Sequence, residues 1–183
     1  KIIKKMLAHF VHDEMINPKA INLNFSNIDR IIMIGCGTAY YACQIAKYWL
    51  EKIATITVET DIASEFRYRS PQIDEKTMAI FVSQSGETAD TLAALRYCNQ
   101  KTKQTLSIVN VTSSTIARES TFVLPIMAGT EVGVASTKAF TSQLFALAIL
   151  SVSAGFSRQS LTKNKMITLI EELIKVPDLM KKA

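Results

Sequence analysis

Only three cysteines, Cys36, Cys43 and Cys98, occur in the 183 residues, an odd number without the close Cys/His spacing of a metal site. That scarcity argues against a disulfide framework or a zinc centre and for a reducing compartment, with the cytoplasm as the default. No run approaches the roughly 18 uncharged apolar residues that a membrane-spanning helix needs, so the chain is expected to be soluble, with no membrane partner. An initiator methionine is missing, and Lys1-Ile2-Ile3-Lys4-Lys5 leads into neither the apolar segment nor the small-residue cleavage site of a signal peptide. The start is therefore expected to be a boundary inside a longer protein. A basic stripe is lacking too, although the formal net charge is +5. Lys1, Lys4 and Lys5 lie at one end, Lys175, Lys181 and Lys182 at the other, and Lys101 and Lys103 in a loop, none interleaved with aromatics. Solvated lysines at termini and helix ends account for that distribution, so nucleic acid is not an expected partner, while an anionic small substrate is compatible with it. Internal repeats and low-complexity segments are absent. The length suffices for one domain with a full core and is too short for two ordinary ones.

What the sequence does contain is alternation. Leu7, Phe10, Val11 and Met15 recur at helical spacing over residues 3–16, with Pro18 beyond, and predict an amphipathic lead-in helix within residues 1–20. His9 and His12 stand beside Asp13 and Glu14, but the order is not His-Glu-x-x-His, and packing or solvated histidines fit better than metal ligands. Short apolar runs follow at Ile31–Ile34, Thr55–Glu59, Met78–Val82, Leu106–Asn110 and Phe122–Leu124, each read as a strand. Between them lie a helix over Thr38–Leu50, a polar segment Ser64–Arg69 broken at Ser70-Pro71, a helix carrying Leu92, Leu95 and Arg96, and a short helix near Ser114–Arg118. A long apolar helix over 136–154 and a more charged one over 161–182 complete the chain. Five strands alternating with helices predict an α/β fold of three layers, a five-stranded parallel sheet with helices on both faces. The expected organisation is one domain over 1–183, its core at about 30–155 and its C-terminal helix at about 160–182.

In such a sheet ligands bind beyond the carboxyl ends of the strands, where the strand order reverses. Three polar loops fall at strand ends: Gly37-Thr38-Ala39, Ser83 through Thr88, and Glu131 through Lys138. In the second, Ser83 and Ser85 offer hydroxyls, Gly86 lets backbone approach an anion, and a helix opening at about Glu87 aims free N–H groups at the same point. Such a loop suits a phosphate monoester, with Thr88 and Thr91 as further donors. The bland alternative, Ser85 as an ordinary helix cap, leaves the rest of the hydroxyl cluster unexplained. The first loop, Gly35-Cys36-Gly37-Thr38-Ala39-Tyr40, partly imitates a dinucleotide fingerprint, with Glu59 about where a ribose-binding acid would stand. Against that reading, Tyr40 occupies the third glycine position, where a ring hinders close packing of helix on strand. Cys36 precedes a helix start, which can activate a thiol, yet a small cysteine at a strand end is the simpler reading. The third loop either faces a ligand with its backbone or caps the long helix. Its Glu131 and Lys138 fit a surface ion pair better than an acid–base couple.

Taken together, Cys36–Tyr40, Ala63–Arg69, Ser83–Thr91 and Gly133–Thr141 closely resemble the first sugar-isomerase (SIS) domain of the glutamine:fructose-6-phosphate amidotransferases. The resemblance spans roughly residues 30–150, in family order. The family's lead-in pattern is matched only loosely by His12–Met15 and Ile16-Asn17-Pro18. It implies a flavodoxin-like sheet, a phosphate held at Ser83, Gln84, Ser85 and Thr88, sugar contacts from Thr38 and the backbone of Val134, and Gly37 and Ala39 as further substrate-binding positions. Some members carry Ser at the position of Ala39, which can offer only its backbone N–H. The resemblance further implies a parent that makes glucosamine 6-phosphate from fructose 6-phosphate, without metal or cofactor. A second SIS domain, a glutaminase domain and a second copy of the chain would be its partners. The proton-moving residues of the family lie in those other segments, so no catalytic residue is expected here. A non-enzymatic SIS domain that senses phosphosugars is the alternative from another functional class, and a Rossmann dehydrogenase the third.

Overall fold

A computed structural model describes residues 1–130 and 136–182. Helix α1 (Ile2–Phe10) buries Ile3, Met6 and Phe10, one stripe of an amphipathic helix. It ends earlier than the apolar spacing suggests, because residues 11–16 form a hairpin of β1 (Val11–His12) and β2 (Met15–Ile16). Asp13 and Glu14 make the two-residue turn with φ of 49° and 57°, a left-handed pair that no helix can contain. Val11 and Met15 thus reach the core side from a hairpin, not from a helix face.

The main sheet contains β3 (Arg30–Gly35), β4 (Thr57–Ile62), β5 (Thr77–Ser83), β6 (Thr105–Val109) and β7 (Phe122–Pro125), all parallel, in the order β4-β3-β5-β6-β7. Successive side chains point to opposite faces. Ile31, Met33, Met78, Ile80 and Val82 face one core, and Ile32, Ile34, Ala79 and Phe81 the other. All seven residues of β5 are buried, as a central strand covered on both sides must be. Helices α2 (Thr38–Ala54) and α6 (Lys138–Ser157) cover the first face together with α1. The second face is covered by α3 (Ala63–Arg69), α4 (Ala89–Asn99) and α5 (Thr115–Glu119). α7 (Lys163–Leu179) packs Met166 and Ile170 beside Val152 and the hairpin.

Two elements differ from expectation. α2 runs on to Ala54 and is stopped by Thr55 in the left-handed region (φ 51°, ψ 49°), which moves the next strand from Thr55–Glu59 to Thr57–Ile62. The polar segment after it is a helix, α3, whose inward face is only Ala63 and Phe66. Seven residues give too few apolar positions for a periodic signal.

Contrary to the expectation that no run approaches a membrane span, α6 is long and apolar enough, by length and composition, to cross a bilayer, with a mean hydropathy of 1.6 in its best window. Yet 72% of that window is buried inside the fold, as befits a core helix. Most of its apolar length therefore serves this domain's own core. It lies close on α2: a Cβ added at Gly155 would stand 2.8 Å from both the carbonyl oxygen and Cγ2 of Ile53. Beyond it, Arg158 donates from Nε to the Ala54 carbonyl (2.9 Å) and from Nη1 to the carbonyls of Phe25 (3.0 Å) and Ile28. The guanidinium thereby meets the negative end of α2 and the segment that enters β3.

Candidate phosphosugar site

β3 is followed by a crossover to β4 on one side, and the chain then returns to place β5 on the other. The strand order reverses between β3 and β5, and at their carboxyl ends lies a pocket of about 290 Å³. Cys36, Thr38 and Ala39 line it from the β3–α2 turn, and Val82, Ser83, Gln84, Ser85 and Thr88 from the β5–α4 turn. Ser136 and Gln143 close it from the α6 side. A larger groove of about 460 Å³ lies elsewhere, among Trp49, Leu144, Phe145, Leu169, Leu173 and Val176. It is apolar, with Glu172 the one ionisable group among its described lining residues, whereas hydroxyls and amides line the smaller pocket.

The β5–α4 loop is held from both sides. Ser83 Oγ accepts the Gly86 N–H at 3.1 Å and lies 3.2 Å from Thr88 Oγ1, while Ser85 Oγ accepts the Glu87 N–H at 3.2 Å. The loop's carbonyls are engaged by the β6–α5 connection: Asn110 N–H donates to Gln84 O (3.1 Å) and Ile116 N–H to Gly86 O (3.0 Å). Gly86 adopts φ +68°, and a Cβ there would lie 2.0 Å from Ser114 Oγ and 2.5 Å from Ser114 Cβ. No residue but glycine fits. α4 opens at Ala89 with Thr88 as its cap residue, two positions later than expected, and no side-chain bond caps it. Ser85 is thus no helix cap, and the hydroxyls of Ser83, Ser85 and Thr88 stand as a group in the pocket wall.

Among the described lining residues there is no Lys, Arg, Asp, Glu or His. Positive potential comes instead from the amino ends of α2 and α4, whose first turns supply Thr38, Ala39 and Thr88. Hydroxyl donors and helix N-termini converging without a fixed cation suit an oxygen anion of modest size.

The expected residues Thr38, Ala39, Ser83, Gln84, Ser85 and Thr88 all line this pocket. Gly37 lies one step back, starting α2 with φ 56° and ψ −129°. Val134, with Glu131, Gly133 and Ala135, lies outside the described residues. Ala39 differs from expectation, because its backbone N–H already donates to Cys36 O at 3.2 Å, leaving its methyl to shape the wall. Thr91 is fully buried with its hydroxyl 3.9 Å from Cys36 Sγ, and it does not line the pocket. Glu59 sits mid-strand opposite Ile32 and pairs with Arg30 at 3.1 Å, too far back to meet a ribose at the strand's end. The dinucleotide reading loses its acidic residue. Lys138 Nζ donates to the Thr130 carbonyl. Ser136 and Gln143 were not foreseen as site residues, though Gln143 stands out as an amide in an apolar helical run.

The SIS domain family matches residues 24–153. The chain belongs to the SIS domain family. Its relatives include the glutamine–fructose-6-phosphate aminotransferase (isomerizing) of Brucella abortus biovar 1 (strain 9-941), 49% identical over 179 residues, which are 97% of this chain and 30% of the relative. The chain therefore spans about 30% of the length of such relatives. Among solved structures, the C-terminal domain of glucosamine-fructose-6-phosphate aminotransferase from Francisella tularensis superposes with a TM-score of 0.91 at 38% identity, covering 96% of this chain and 50% of that one. A phosphosugar isomerase structure from Clostridium difficile 630, described as putative, gives 0.84 at 19% identity over 98% and 51%, and shows the fold alone.

In this SIS domain Glu87 ties the β5–α4 loop to α5, its Oε1 accepting the Thr115 N–H at 2.7 Å. That bond, with further help from Thr115 and the Arg118 charge, holds the Glu87 carboxyl below the ordinary glutamate range. A depressed folded-state value adds stability above the unfolded value, near pH 4.5, and loses it as pH falls through the folded value. Glu87→Gln, which keeps the acceptor but not the charge, is therefore expected to flatten the acid side of the stability–pH curve below about pH 5. Urea midpoints from pH 7 to pH 3 would check this; parallel curves for both proteins would count against it.

Proposed function

We propose that this chain is the phosphosugar-binding first isomerase domain of a glutamine–fructose-6-phosphate aminotransferase, and that it binds fructose 6-phosphate without converting it. The observation that carries the reading is the polar pocket at the strand-order reversal, without a cation among its described lining residues and walled by Thr38, Ser83, Gln84, Ser85 and Thr88. A phosphate monoester accepts hydrogen bonds from every side, which matches the Ser83–Thr88 hydroxyls and the amino end of α4. The sugar then extends toward Thr38 and the α6 side. The names of the 49%-identical relatives support fructose 6-phosphate as the substrate.

Converting a ketose to an aldose requires a base beside the proton shared between C1 and C2. The described pocket wall offers none: its one titratable side chain is the Cys36 thiol. In this reading the proton-moving groups come from a second SIS domain and the ammonia from a glutaminase domain, within a cytoplasmic homodimer. The present chain forms a single binding module of that assembly.

Titrating the isotope-labelled chain with fructose 6-phosphate by NMR tests the proposal. Amide shifts concentrated at Thr38, Ala39 and Ser83–Thr88 are expected at millimolar ligand, with no glucosamine 6-phosphate formed when ammonia is added. Silence of those amides would sink the binding half, and turnover would sink the other.

A further inference from the structure

α6 is an apolar core helix, yet its second turn carries Gln143, only 1% exposed. Its side-chain oxygen Oε1 is buried and has no hydrogen-bond partner among the described residues. Gln143 lines the same pocket as Ser83, Gln84, Ser85 and Thr88. A buried amide oxygen without a donor is costly, and in folded proteins such atoms are few and call for an explanation. A ligand that brings its own donor supplies one.

The two ends of a phosphosugar differ in what they offer. Near neutral pH a phosphate monoester presents acceptor oxygens almost exclusively, and the Ser83–Thr88 loop meets it with donors. A carbonyl oxygen facing that end would meet only like partial charge. The sugar's hydroxyls carry the hydrogens that an amide oxygen needs. We infer that Gln143 is a substrate-binding residue, whose side-chain carbonyl accepts a hydrogen bond from a hydroxyl of the sugar and so distinguishes a phosphosugar from phosphate alone. The inference rests on the phosphosugar reading above. The filled site would hold the phosphate on the β5–α4 loop and the sugar against α6, fixing the ligand's direction in the pocket.

Gln143→Met keeps the length and most of the volume but removes the acceptor, and Gln143→Ala removes it without filling the space. Calorimetric titration of each with fructose 6-phosphate and with inorganic phosphate separates the two ends of the ligand. Both variants are expected to bind fructose 6-phosphate about tenfold more weakly, the worth of one hydrogen bond, and inorganic phosphate as tightly as the unaltered chain. The melting temperature of Gln143→Met should not fall, because no existing bond to Oε1 is lost; a Gln143 with a merely structural role would lower it. Equal loss of both ligands would place Gln143 on the phosphate, and unchanged binding of both would leave it no role; either overturns the inference while the phosphosugar reading stands. If the unaltered chain binds neither ligand, the phosphosugar reading falls and this inference with it.

Discussion

Gly86→Ala is expected to destabilise the fold by about 3 kcal/mol or more and to abolish phosphosugar binding in whatever folded fraction remains. Two costs combine. At φ +68° an alanine side chain enters a backbone region that L residues rarely adopt, and its methyl would meet Ser114 Oγ at 2.0 Å. Left-handed strain costs about 1–2 kcal/mol and overpacking another 1–3 kcal/mol. Relief would require the β5–α4 loop to part from α5, breaking the Ile116 N–H bond to Gly86 O and the Thr115 bond to Glu87. The same movement displaces Ser83, Ser85 and Thr88 from the pocket wall. Gly129 provides the control: its φ is also +68°, but a Cβ there meets nothing within 4 Å. Gly129→Ala should cost only the backbone term, about 1 kcal/mol. Urea denaturation of both variants, with the NMR titration repeated on each, makes the comparison. Equal stability losses at the two glycines would show that Ser114 yields and that the loop is not held as described.

Gly155→Val should cost about 3 kcal/mol by a different route, leaving the site alone. Here α2 and α6 approach until a Cβ would stand 2.8 Å from the Ile53 backbone carbonyl, which cannot swing aside as a side chain can. The helices must separate, and Ala46, Leu50, Ala146 and Leu150 lie in the core they jointly cover. For a chain of this size that loss corresponds to a fall in melting temperature of roughly 8 °C. Thr38 and Ala39 line the pocket at the opposite end of α2, about 25 Å from Ala54, and Gln143 lies about 18 Å from Gly155 along α6. Affinity for fructose 6-phosphate per folded molecule should therefore be unchanged. A thermal melt within 2 °C of the unaltered chain would mean that the two helices re-pack at little cost.

Much of this architecture is written in local patterns. Ile31–Ile34 and Met78–Val82 read as buried strands because both faces of the sheet are covered, and the structure buries all of them. The Ser83–Thr88 cluster announces its chemistry because hydroxyls and glycine at a strand end have few other uses together. What was not legible depends on distant partners. Leu7, Phe10, Val11 and Met15 keep a helical spacing through the hairpin, since the core they face lies on one side whichever backbone carries them. The left-handed pair Asp13-Glu14 that ends the helix uses no glycine or asparagine to mark it. Phe66 in α3 is buried among distant partners, Tyr97 of α4 included, its ring centroid 5.9 Å away. Gln143 is separated from Ser83 by 60 positions in the chain, and only the sheet's topology brings the two to one pocket.

The grip of Arg158 on Phe25, Ile28 and Ala54 has a consequence for how the chain is made. All five strands of the sheet have been synthesised by Pro125, but the last of the helices that cover its first face ends only at Ser157. Until α6 leaves the ribosome, Ile31, Met33, Ile80 and Leu106 have lost only part of their contact with water. At 5–20 residues per second that interval lasts a few seconds at most. Contacts reaching back more than 100 positions close late, because the entropy of the intervening loop must be overcome first. The nascent domain thus exposes a finished but only partly covered sheet face just before α6 docks, and that is the moment at which a chaperone would find most to hold.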